Sequence, residues 1–158
     1  MAVMRIYREG EDVLRKKSHE VKLFDRRMVG LLKDMAETMY AADGCGLAAP
    51  QVGILRRIVV IDVGDGLVEL INPEIIASEG ANVDAEGCLS IPGRRCTVER
   101  PDKVTVRAMD RKGREFEFTA EGFFARAVCH ELDHLDGILY IDRMIEDVTE
   151  ELQKKGEV

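Results

Sequence analysis

The sequence predicts an α+β fold: antiparallel β-sheet hairpins packed around a central long helix, with one helix before it and one after. Three observations lead there. β-Branched runs are paired across short turns, stretches of helical period flank them, and strands and helices do not alternate as in a βαβ chain. At 158 residues, with no repeat, low-complexity tract or linker, residues 1–158 read as a single domain.

Residues 10–20 are polar and mixed in charge, which predicts a loop or an irregular N-terminal arm. From Asp25 a helical period begins: Met28, Leu31, Leu32, Met35 and Met39 recur at spacings of three and four. With Asp25 as N-cap and Asp43-Gly44 as stop, the helix spans 25–42, its methionine stripe turned to the core. Residues 44–51 are small and apolar and show neither period. Residues 57–63 are a β-branched strand, Gly64-Asp65-Gly66 a turn, and 67–71 a returning strand, so the three form a hairpin. Asn72 and Pro73 break that strand, and Ile75-Ile76 resume it. Glu86 to Gly93 match no regular amphipathic element. Residues 104–109 and 115–119 flank Asp110-Arg111-Lys112-Gly113 as a second hairpin. A long helix follows over 121–135, with Phe124, Ala127, Val128, Leu132 and Leu135 as its apolar stripe, and a charged terminal helix near 145–155.

The composition, 46% hydrophobic and 34% charged, is that of a soluble globular protein. A net charge of −7 argues against nucleic acid or an anionic membrane as the main partner. Arg94 and Arg95, beside Arg100, can form a local basic patch. No apolar run is long enough to cross a bilayer, and the first residues lack the apolar core of a secretion signal. Cys45, Cys88, Cys96 and Cys129 form no CxxC pair; reduced thiols in a cytoplasm are expected.

The strongest chemical signal is His130-Glu131-Leu132-Asp133-His134. On a helix, residues four apart share a face, so both imidazoles can close on one divalent cation. Glu131, beside the first, can take a proton from water held there. The ordinary alternative is an exposed helix with polar pairs. Two imidazoles leave a catalytic zinc-type site one protein ligand short. His19 lies in the polar arm and reads as a solvated residue. Cys88, next to Gly87, is the better candidate, since a thiolate binds zinc or ferrous iron well; spacing alone sets it only slightly ahead of Cys45 and Cys129. Cys129 is about 100° around the helix from His130 and should not share its ion.

Three motifs together carry a resemblance. Gly44-Cys45-Gly46-Leu47-Ala48-Ala49-Pro50-Gln51, Glu86-Gly87-Cys88-Leu89-Ser90 and His130-Glu131-Leu132-Asp133-His134 resemble the signature motifs of bacterial-type peptide deformylases, in that order and at the usual separations. The likeness runs from about residue 5 to 145. It implies a metallohydrolase that removes the formyl group from the initiator N-formylmethionine of nascent polypeptides and releases formate. It implies Cys88, His130 and His134 as metal ligands and Glu131 as the proton carrier. The Gln51 side-chain amide and the Leu89 backbone N–H would be oxyanion donors, and Gly46, Cys45, Gly87 and Arg95 would meet substrate. Glu86 and Asp133 read as supports of the ligand histidines. The resemblance favours Fe²⁺ in the cell, with Zn²⁺, Ni²⁺ or Co²⁺ as alternatives that suit the same donors. It makes the formyl-Met nascent peptide the partner, admits the ribosome near its exit tunnel as a second, and fits a monomer.

The sequence departs from the family at Asp12, where many members have proline, and at Cys129, where glutamine is frequent. At Arg126 many relatives carry an apolar residue near the methionine pocket, which suggests that Arg126 rims or narrows it. Two rival readings use the same histidines: a zinc-dependent endopeptidase with a different third ligand, and a non-catalytic module whose closed site takes Cys45 or Cys129 as fourth ligand.

Overall fold

The computed structural model describes residues 2–156. Eight strands and three α-helices make up the regular structure. Helix α1 (Arg26–Ala41) starts where the Asp25 carboxylate accepts from the Met28 N–H at 3.1 Å, so the predicted N-cap forms. Strands β1 (Gly46–Ala48), β2 (Ile58–Ile61) and β3 (Val68–Glu79) follow. Next come β4 (Asn82–Cys88), β5 (Ile91–Arg100), β6 (Lys103–Met109) and β7 (Glu115–Glu121). Helix α2 (Gly122–Leu135), β8 (Met144–Asp147) and α3 (Thr149–Lys154) close the chain. All named strand pairs are antiparallel, in a five-stranded sheet of order β1-β2-β3-β6-β7 and a three-stranded sheet β4-β5-β8.

The five-stranded sheet is covered on both faces. Ile58 and Val60 of β2 join Met28, Leu32, Met35 and Met39 of α1 in one core cluster. Val59 and Ile61, pointing the other way, join Ala125, Val128, Leu132 and Leu135 of α2 in another. Successive strand residues face opposite sides, so a strand between two helices must be apolar at every position. A third cluster under the small sheet unites Leu14, Ile91, Cys96, Val98, Leu139 and Tyr140.

Four expectations need correction. Residues 46–48, which show no strand period, form the edge strand β1; all three are buried, so no polar alternation marks them. Asn72 and Pro73 do not end β3. Asn72 takes a left-handed φ of 51°, the register shifts between Ile71 and Glu74, and the strand runs on through a bulge. The Asn72 amide exchanges two hydrogen bonds with the Val21 backbone, at 2.8 and 2.9 Å, which holds the N-terminal arm there. Residues 86–93 lie on β4, a tight turn at Leu89-Ser90, and β5. The terminal segment splits: Met144–Asp147 pairs with β5, and only Thr149–Lys154 is helical. The break falls where the Asp147 carboxylate accepts from the Thr149 N–H. Within residues 10–20 the arm contains one short 3-10 turn, Asp12–Arg15.

Candidate metal centre

Helix α2 is buried far beyond an ordinary amphipathic stripe, every residue from 125 to 132 being buried. Its core face anchors it to the large sheet; the remaining faces carry Arg126, His130, Glu131 and His134 into the interior. His130 and His134, one turn apart, have ring centroids 5.2 Å from each other. Opposite them stands β4. Glu86 and Cys88, two residues apart on one strand, reach the helix from the same side, and the register shift between them turns the end of the strand.

Cys88 Sγ lies 3.4 Å from His134 Nε2. One ligand atom each from Cys88, His130 and His134 lies within 4.8 Å of the other two. Among the described residues no other such cluster exists, and neither Cys45 nor Cys129 joins it. The donor set fits a divalent metal: one sulfur and two imidazole nitrogens converge. His130 Nδ1 donates to Glu86 Oε1 at 2.9 Å, leaving Nε2 as the free ring nitrogen. The Tyr140 ring stacks on His130 at 5.8 Å, its hydroxyl donating to the Arg94 carbonyl.

Electrostatics separate the acidic groups. Burial would raise the pKa of Glu86, but hydrogen bonds from Arg100 and His130 overrule it and hold it at about 2. Glu131 is buried with Oε1 unpartnered, and burial pushes its pKa up to about 7. Burial also drives the pKa of His134 well below its ordinary value. For His130 burial acts in the same direction, but Cys88 and Glu86 outweigh it and raise its pKa well above the ordinary value. Burial, and then the Glu131 charge, raise the pKa of the Cys45 thiol.

These groups border a cleft of about 310 Å³. Gln51, Leu89, Cys88, His130, Glu131, Cys45, Gly46, Gly87 and Arg95 all line it; His134 sits behind the wall, 1% exposed. Gln51 is buried at the end of a 3-10 turn after β1. Its Oε1 accepts from the Ala48 N–H at 3.0 Å, so the amide nitrogen faces the centre, 3.6 Å from Cys88 Sγ and 3.1 Å from Ser90 Oγ. A Cβ at Gly46 would lie 2.5 Å from Glu131 Oε2, so only glycine leaves room there for that carboxylate. At Gly87 a Cβ would collide with the Arg95 guanidinium.

A larger cavity of about 960 Å³ opens behind α2, with Cys129, Arg100 and Asp133 in its wall, and none of Cys88, His130, His134, Glu131, Gln51 or Leu89 lines it. Cys129 thus faces away from the cleft. Arg94, Arg95 and Arg100 do not form a basic patch: Arg94 pairs with Asp147, and Arg100 is buried against Glu86 and Asp133. Arg126 borders the cleft but sends its guanidinium inward to Glu86 at 2.6 Å. Sequence reasoning missed Ser90, Tyr140 and the depth of Arg100 and Arg126. A cation within the apolar run 123–129 was the one signal available.

Comparison with known proteins agrees with this geometry. The family described as Polypeptide deformylase matches residues 3–150. The peptide deformylase of Caldicellulosiruptor bescii is 58% identical over 151 residues, 96% of this chain and 91% of that one. That of Caldanaerobacter subterraneus subsp. tengcongensis is 54% identical over the full length of both. Among solved structures, peptide deformylase from Thermotoga maritima superposes with a TM-score of 0.89 at 44% identity, covering 90% of this chain and 98% of the other. The Synechococcus elongatus enzyme in complex with actinonin gives 0.89 at 41% identity, covering 98% and 87%. A family match over nearly the whole length, on a cleft that gathers all three motifs, makes this chain a member of the polypeptide deformylase family.

Proposed function

We propose that the chain is a hydrolase that removes the N-formyl group from the initiator N-formylmethionine of nascent polypeptides by metal-dependent hydrolysis, releasing formate. The observation that carries this is the meeting of Cys88, His130 and His134 beside a buried, unpartnered Glu131. Neither rival is retained: the ligand cluster stops at three among the described residues, as a closed structural site would not, and its third ligand atom is a thiol sulfur.

Cys88, His130 and His134 would hold the ion, which when bound acidifies water and polarises a carbonyl. The edge strand β1 offers its backbone to an extended peptide, with Gly46, Cys45, Gly87 and Arg95 along the cleft. Gln51 Nε2 and the Leu89 N–H donate to the formyl oxygen as charge develops there. Glu131 accepts the proton of the attacking water and passes it to the departing amine. A carboxylate pushed up to about 7 suits both transfers near neutral pH. The formyl C–N bond breaks, giving formate and a free methionine amine. The sheets are read as arranged around α2, the central helix that carries His130, Glu131 and His134.

The ion in the cell is taken as Fe²⁺, the choice favoured by the family resemblance; Zn²⁺, Ni²⁺ and Co²⁺ suit the same sulfur and imidazole donors. The chain is taken to act as one catalytic domain over 1–158, as a cytoplasmic monomer that meets its substrate near the ribosomal exit tunnel. No helix of the described residues is long and apolar enough to cross a membrane.

The test is formate release from a formyl-Met peptide by anaerobically prepared, Fe²⁺-loaded protein, with Cys88→Ser in parallel. Formate from the native chain, and loss of both metal and formate in the variant, is expected. No formate from metal-loaded protein, or full metal retention by Cys88→Ser, overturns the reading.

A further inference from the structure

Arg126 lies one turn before His130 on α2, is 4% exposed, and bridges three pieces of backbone. Its Nη1 donates to Glu86 Oε2 at 2.6 Å and to the Val98 carbonyl at 2.9 Å. Its Nη2 donates to the Asn82 carbonyl at 3.1 Å and to Asn82 Oδ1 at 2.7 Å. It therefore joins α2, which carries His130 and His134, to β4, which carries Cys88, and to β5 behind it.

Glu86 shows why this matters. Its Oε1 accepts from Arg100 Nη2 at 3.0 Å and from His130 Nδ1 at 2.9 Å; its Oε2 accepts from Arg100 Nε at 2.9 Å and from Arg126 Nη1 at 2.6 Å. Four donors on two oxygens leave the carboxylate no freedom to turn. Arg100 also reaches Asp133 Oδ2 at 2.7 Å, three residues beyond His130. The helix is thus pinned to the hairpin on both sides of its first histidine. A buried ion pair contributes little net stability over an apolar pair of similar volume. What the fork of a guanidinium adds is geometry.

We propose that Arg126 is a positioning residue for the metal-ligand set, fixing Glu86 against His130 and the register of α2 on the strand that carries Cys88. The proposal rests on the ligand assignment given under Proposed function. It predicts that removing the fork loosens metal binding while the fold persists.

The experiment measures Co²⁺ affinity by competition with a chelator, together with the cobalt–thiolate absorption band, in the full chain. Native protein is compared with Arg126→Met, Arg126→Lys, Glu86→Gln and the double variant Arg126→Met/Glu86→Gln. Arg126→Met should bind Co²⁺ about tenfold more weakly and shift the band, within the ten- to hundredfold usual for groups that orient a ligand histidine. Arg126→Lys keeps the charge without the fork and should recover part of the affinity. The double variant should lose less affinity than the two single losses combined, because part of the effect passes through Glu86. Native affinity and an unchanged band in both Arg126 variants would overturn the proposal, as would additive losses in the double variant. If Arg126→Met does not fold, Arg126→Lys decides: native-like affinity and band overturn it, weakened binding supports it. Failure of the native chain itself to give a cobalt–thiolate band would instead strike the ligand assignment.

Discussion

Glu86 and Glu131 are both buried and lie on either side of His130, yet their surroundings push them in opposite directions. Behind the imidazole, Glu86 takes four donors and is held at about 2. In front of it, Glu131 leaves one oxygen unpartnered and rises to about 7. One carboxylate is fixed as an anion that orients; the other is poised to exchange a proton. Titratable groups pushed apart by their environments mark the division of labour in an acid–base site. Here it is made by hydrogen bonds from Arg100 and His130 on one side and by burial on the other.

The largest effect that can break this comparison is Glu131→Gln. The amide fills the same volume but carries no proton between water and amine. Formate release should fall by about 10²–10⁴ with metal content unchanged, measured by a formate assay beside metal analysis. A variant that keeps more than a tenth of native activity would show that Glu131 is not the proton carrier.

The second effect is on stability in the metal-free chain. The raised pKa of Glu131 means that the folded state holds a proton which the unfolded state gives up. That contribution is fully present below the ordinary value of 4.5 and is lost as pH rises through about 7. It is worth on the order of 3 kcal/mol. Glu86 has the opposite sign: its contribution is full above 4.5 and is lost as pH falls through about 2. Urea unfolding of the metal-free native chain and Glu131→Gln, at pH 5 and pH 7.5, separates them. The native chain should lose stability relative to the variant over that interval; parallel behaviour would show that Glu131 titrates normally.

Glu86→Gln tests the other half. The neutral amide cannot serve both guanidinium groups and His130 as an anion does, so metal affinity should fall about ten- to hundredfold. The fall should appear in chelator competition before it appears in activity at saturating metal. Unchanged affinity would reduce Glu86 to a core ion pair.

The same two sides differ in how far the sequence reveals them. The His130–Glu131–His134 side was legible because its geometry lies within one helix, where spacing fixes the face. Helix α1 and the two hairpins around 64–66 and 110–113 were legible for the same local reason. The Glu86–Cys88 side was not. On β5 the inward positions run Cys96, Val98, Arg100, and on β4 Glu86 faces the helix. Charged residues fill the places where alternation would put apolar ones, because the small sheet faces an ionic cluster as well as a core. The order of Cys88 over Cys45 and Cys129 came from motif resemblance, since a contact across 42 residues leaves no periodic trace. Arg126 shows the same limit: its inward turn depends on five acceptors supplied by two other strands.

Gly46→Ala should give the smallest effect and locates the front side most finely. Gly46 lies in an extended strand paired with Ile61, so alanine meets no backbone penalty there. Its methyl, however, would stand 2.5 Å from Glu131 Oε2 and 2.9 Å from Cγ and Cδ. Glu131 is buried and cannot swing into solvent, so the carboxylate must move within the site. A displacement of that kind should lower kcat for formate release by about tenfold, with metal content kept. Gly44→Ala is the matched control, because its methyl would meet the Leu89 side chain at 2.6 Å, a flexible end that can yield. A tenfold loss at Gly46 with near-native activity at Gly44 would tie the rate to the place of one carboxylate oxygen. Equal losses at both positions would instead assign the effect to general crowding of the cleft.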